Sequence, residues 1–150
     1  MKRMVQAVII CCWFFIGVVP VVSAAEIISR ITGQELVTIL KEEGFAPTLD
    51  KPSVISMKIE GFKVLFFVAD DHESIQAYGG FKSEKGTMSK VNEWNMTKRY
   101  SHAYLDKDGD PVIEFDLDLS GGVSKKRIID FIKTVRFSIP IFARHVFGAD

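Results

Sequence analysis

The sequence predicts an α+β domain, an antiparallel sheet of about five strands with helices packed on it, in the order α-β-β-β-α-β-β-α. Three observations carry this. Apolar residues recur every three or four positions around residues 31–43, 88–96 and 128–146. Between those stretches the period changes to two, at Ile55-Met57-Ile59 and at Ile113-Phe115-Leu117-Leu119. Turn residues punctuate the changes: Glu60-Gly61, Asp108-Gly109-Asp110 and Gly121-Gly122.

The first helix is expected over Gly33–Glu43. Thr32 and Glu35 have capping-box spacing, and Ile31 and Leu36 are placed as a hydrophobic staple across the cap. Leu36, Ile39 and Leu40 share one stripe, and Gly44 supplies the stop. Pro47 and Pro52 bracket a turn-like connector. Ile55, Met57 and Ile59 alternate with Ser56, Lys58 and Glu60, the mark of a strand with one wet face. Phe62–Ala69 is apolar on both faces, with Leu65 and Phe67 on the second, which predicts a central strand covered on each side. The cover is either the last helix, bent at Pro140 so that Ile141 and Phe142 fold over, or a partner. Ser74–Phe81 is a third strand in which Gly79-Gly80 marks a bulge or an end.

Gly86 precedes a short helix that Thr87 or Ser89 can cap, with Met88, Val91 and Trp94 or Met96 on its buried side. Tyr100–Leu105 and Val112–Leu119 flank an Asp-Gly turn and read as a hairpin. Ser124 is placed to cap the last helix, whose stripe is Ile128, Ile132, Val135, Ile139, Phe142 and Val146; Pro140 should kink it or make it stop and restart.

The chain opens with Lys2 and Arg3, an apolar run from Ala7 to Val19, Pro20, and small residues at Ser23, Ala24 and Ala25. That is the pattern of a signal peptide, residues 1–25, leaving one domain over 26–150. A retained anchor is the alternative, though the apolar run is short for a span and no basic cluster follows it. Cys11 and Cys12 leave with the leader, so the mature domain has no disulfide or thiolate chemistry and rests on its core. The whole chain balances 19 basic against 19 acidic residues, and loss of Lys2 and Arg3 tips the balance to two acids in excess. That argues against a nucleic-acid partner. Contact with membrane is expected only through the leader, if it is kept.

No motif carries catalysis. Asp106, Asp108 and Asp110 match the first half of a calcium loop, but Gly109 falls at loop position four rather than six and Leu117 stands where the closing Glu should be. Hairpin chemistry accounts for the same residues, so no metal and no cofactor is assigned. His72, His102 and His145 belong to no zinc pattern. His102 near Asp116 imitates a base with its orienting carboxylate, yet Ser101 and Ser120 lack a nucleophile elbow. Trp94 reads first as a core anchor and second as an exposed binding aromatic.

Val91-Asn92-Glu93-Trp94-Asn95, Arg99-Tyr100, Ala103-Tyr104-Leu105-Asp106, Asp108-Gly109-Asp110 and Glu114 to Gly122 together resemble the YbjN family of bacterial sensory-transduction regulators. The resemblance implies a fold similar to that of type III secretion chaperones, a non-catalytic role, and a protein or peptide partner, a second copy of the chain included. It brings no catalytic residues. The export signal sets this chain apart from cytosolic members and argues against a role as a cytosolic effector chaperone or direct gene regulator.

The function expected is therefore an exported, periplasmic protein-binding or regulatory module, not an enzyme. Its contact surface is expected at Leu65 and Phe67, bordered by Glu114, Asp116 and Asp118, with Trp94 as a further candidate. Sheet edges offer a second mode of binding, by strand addition. The alternative is a periplasmic sensor of a small molecule or ion, and hydrolysis through His102 ranks last.

Overall fold

Helix α1 (Gly33–Glu42) is fixed at both ends by its own sequence. Thr32 Oγ1 accepts the Glu35 N–H at 3.2 Å, and Glu35 Oε2 accepts the Thr32 N–H at 2.7 Å, closing the capping box. Ile31 and Leu36 are both buried across it. At the far end Gly44 takes φ +83°, the Phe45 N–H reaches the Leu40 carbonyl, and the Gly44 N–H reaches that of Lys41. That pair of bonds is a Schellman stop. The computed structural model describes residues 26–82 and 87–148; the expected leader and Gly86 lie outside them.

The other elements are β1 (Ile27–Ile28), β2 (Thr48–Lys51), β3 (Val54–Ile59), β4 (Phe62–Val68), β5 (Ser74–Gly80), α2 (Met88–Thr97), β6 (His102–Leu105), β7 (Pro111–Asp118), β8 (Val123–Ser124) and α3 (Lys125–Phe147). The main sheet is antiparallel throughout, in the order β2-β3-β4-β5-β7-β6, and β1 pairs separately with β8. The fold is α+β as expected, with one strand more in the main sheet. The connector between Pro47 and Pro52 is β2. All four of its residues are exposed, so no buried face stamps a period of two on them, and prolines are tolerated beside an edge strand.

The helices cover one face only. On that inner face Ile55, Phe66, Ala77 and Phe115 form one cross-strand row, each at most 1% exposed. Helix α3 lies over it, with Ile128, Ile132, Val135, Ile139, Phe142 and Val146 all fully buried. The helix runs through Pro140 without stopping. Its buried flanks, Ile139 and Phe142, offset the missing backbone bond, which costs about 3 kcal/mol in an unsupported helix. Gly79 explains the close approach: a Cβ there would stand 2.7 Å from Ile139 Cδ1. The β5–β7 ladder is regular up to Gly80, so the glycine pair marks a strand end and not a bulge.

Helix α2 is capped by Thr87, whose hydroxyl accepts the Lys90 N–H at 3.3 Å. It buries Val91 and Trp94, while Met88 and Met96 are exposed, contrary to the apolar pattern. The helix is tied to α3 by His145 Nε2, which donates to the Lys90 carbonyl at 2.7 Å, and by Lys90 Nζ, which donates to the Val146 carbonyl at 3.0 Å. Those two bonds and Trp94 hold so short a helix in place, and they leave its outer residues in water.

Candidate functional site

Strand parity builds the outer face of the sheet. Because side chains alternate, each antiparallel pairing sets like faces together, and the register gives two adjoining rows. One row is Ser56, Leu65, Tyr78, Glu114 and His102; the other is Val54, Phe67, Gln76 and Asp116. Among the described residues, no helix lies over them. The expectation that α3 folds over Leu65 and Phe67 fails: Phe142 packs on the inner side, against Phe81 at 5.4 Å and Trp94 at 5.0 Å between ring centroids. Leu65 and Phe67 are half-buried by neighbours on their own face, Phe67 meeting the edge of Tyr78 at 6.5 Å.

The polar end of this face is organised around Glu114. Its Oε1 accepts the Tyr104 hydroxyl at 2.8 Å, and its Oε2 lies 2.8 Å from His102 Nε2. The His102 ring stacks on Tyr104 at 6.1 Å, and its Nδ1 is 3.9 Å from Asp116. Gln76 Nε2 donates to Asp116 Oδ1 at 3.3 Å. Burial, reinforced by the Glu114 carboxylate, pushes the Tyr104 phenol up to about 12. Burial and then the charges of Asp106, Glu114 and Asp110 raise that of Tyr78. Both phenols are therefore neutral donors through the physiological range. Val112, flanked on the ladder by Gly80 and Tyr104, is fully buried although its parity puts it on this face. The Tyr78 ring lies over Gly80 beside it.

Four of the expected contact residues thus come together: Leu65, Phe67, Glu114 and Asp116. Asp118 stands at the end of β7, where its carboxylate accepts the Ser120 N–H at 2.7 Å and is held below its ordinary pKa by that bond. Trp94 does not belong to the surface. It is 2% exposed and its Nε1 donates to Ser101 Oγ at 3.0 Å, so it is a core anchor. Tyr78, Tyr104 and Gln76 complete the face and were not singled out by sequence, because their neighbours are known only once β5 is paired with β7.

The arrangement suits binding better than turnover. His102 has two carboxylates beside it, and the Ser101 hydroxyl is engaged with Trp94. Asp106 Oδ1 accepts the N–H groups of Asp108 and Asp110, each at 2.9 Å, so this carboxylate closes its own turn. Among the described residues no three His, Cys, Asp or Glu side chains are grouped to hold a metal ion.

The two sheet edges differ. At β6, Asn95 of α2 donates to the Ala103 carbonyl and accepts the Ala103 N–H, both at 2.9 Å. At the other edge, β2 is fully exposed and carries an irregularity between Leu49 and Lys51.

The YbjN family model, described as "Putative bacterial sensory transduction regulator", matches residues 32–146. Among solved structures, the chain is similar to one titled "Crystal structure of YbjN, a putative transcription regulator from E. coli". The two share 15% identity at a TM-score of 0.60, over 77% of this chain and 89% of that one, a likeness of fold. No curated protein sequence matches. A capped first helix, an uncovered sheet face and a long closing helix all fall within the matched residues, and on that match the chain belongs to the YbjN family, whose description is of a regulator and not of an enzyme.

Proposed function

We propose that this chain is an exported, non-catalytic regulatory module that binds a protein segment on the outer face of its sheet. The observation that carries the reading is the pairing of Leu65, Phe67 and Tyr78 with Glu114 and Asp116 on one face that, among the described residues, no helix covers. Burial of the apolar part supplies affinity; the carboxylates select a partner with a basic group beside an apolar anchor. The family's description as a regulator supports a role exerted through contact. The basic start, the apolar run to Val19 and Ser23-Ala24-Ala25 support export and a periplasmic site of action.

A photo-crosslinking phenylalanine analogue at position 67 tests the surface in cells, and mass spectrometry of the purified chain reads its N-terminus in the same preparation. A captured partner should lose at least tenfold in affinity with Phe67→Asp or Leu65→Asp, a hot-spot effect. Unchanged affinity in both folded variants removes the surface from the reading; a chain that keeps Met1–Ala25 in the cytosol removes the export.

A further inference from the structure

Helix α3 presents a second face that the fold leaves open. Asp130, Lys133, Phe137, Pro140 and Arg144 follow one another at spacings of three and four residues, a seam of mixed charged and apolar side chains along one face of the helix. Phe137, at the middle of that seam, is 72% exposed. An open groove of about 810 Å³ on one side of it is lined by Phe62, Ile141 and Phe147 together with the charged Glu60, Arg136 and Arg144. A second groove of about 500 Å³ lies on its other side, with Thr134 and Ser138 in its wall.

We propose that this face binds a second copy of the chain, the two α3 helices packing antiparallel about a two-fold axis at Phe137. The charges carry the choice of occupant. Asp130 and Arg144 each lie seven residues from Phe137, roughly 10.5 Å along the helix in opposite directions. A two-fold axis at Phe137 therefore sets Asp130 of each copy against Arg144 of the other, twice over. Neither side chain has an ion pair within its own chain among the described residues. Lys133 is already engaged, with Glu43 at 3.5 Å. The same symmetry lays its aliphatic stem against Ile141 of the second copy, an apolar contact that leaves its charge at the rim. A parallel arrangement would set Arg144 on Arg144 and Asp130 on Asp130, so the charge pattern selects the antiparallel one. The contact is isologous and closes at two copies.

Sedimentation equilibrium on protein purified from cells expressing the full chain measures the association. The wild type should be a dimer. Phe137→Glu should raise the dissociation constant roughly thirtyfold or more, as loss of a central aromatic does, with an unchanged circular dichroism spectrum. Asp130→Arg alone and Arg144→Asp alone should each weaken the dimer by about tenfold, and the two together should restore it to within about threefold of wild type. A wild type that is monomeric throughout its soluble range overturns the proposal. So does a Phe137→Glu dimer of undiminished affinity, or a double variant as weak as the singles. None of these residues belongs to the outer sheet face, so either surface can fail without the other.

Discussion

Phe66 and Phe67 are neighbours in the chain and belong to different worlds. Phe66 points to the inner face of β4 and is fully buried in the row that α3 covers, while Phe67 points outward and is shielded only by side chains of its own face. Every inner row is apolar, and among the described residues no polar or charged residue is classed as buried. The outer rows interleave Leu65, Phe67 and Tyr78 with Gln76, Glu114, Asp116 and His102. Packing alone accounts for the first set. It does not call for aromatic rings beside carboxylates on a partly exposed surface, and that contrast is what supports the proposed contact surface.

Substitutions that treat the two faces alike sharpen the contrast. Phe66→Ala should cost about 3–5 kcal/mol, a large part of the stability of a domain this size. Phe67→Ala should cost about 1–2 kcal/mol, because part of its ring stays in water in the folded chain as well. Urea unfolding of both variants reads the difference, and equal losses would mean that something covers the outer face after all. The adjacent glycines make a smaller version of the same comparison. Gly79→Ala drives a methyl into Ile139 and should cost about 1–3 kcal/mol. Gly80→Ala meets only the phenol end of Tyr78, which can swing aside, and should cost less than about 1 kcal/mol.

The outer face should be sensitive to base. The folded pKa of Tyr104, at about 12, stands above its ordinary value of 10.0, so the neutral phenol favours the fold. Its contribution is complete below pH 10.0 and disappears as pH rises through about 12. Phenolate absorbance should show this late titration, and Glu114→Gln should bring it down by removing the acceptor's charge while burial still holds it above ordinary. A titration unmoved by Glu114→Gln would detach Glu114 from the cluster.

Much of the scaffold is legible in the sequence because it is locally encoded. The Thr32–Glu35 box, the Gly44 stop, the alternation in β3 and β7 and the six-residue stripe of α3 are each complete within a few turns or strands. What escapes has no local signature. β2 has no residue in the core, and β1 and β8 are two residues each. The apolar Met88 and Met96 mislead because Trp94, with the His145–Lys90 bond, anchors α2 without them. The site is half legible: Leu65 and Phe67 stand out by being apolar on the second face of β4. Their meeting with Glu114 depends on β5 lying next to β7 and not β6, a pairing between distant parts of the chain.

The amide of Asn95 has a consequence for how far the sheet can be extended. By offering Ala103 one donor and one acceptor, a helical side chain imitates the neighbour that β6 lacks. An incoming extended segment must first expel that amide, whereas at β2 it meets four exposed residues. Addition at β6 thus carries a cost that addition at β2 does not, so two copies joining edge to edge through β2 would leave only the guarded edge, and repeated strand addition into a fibril is hindered there.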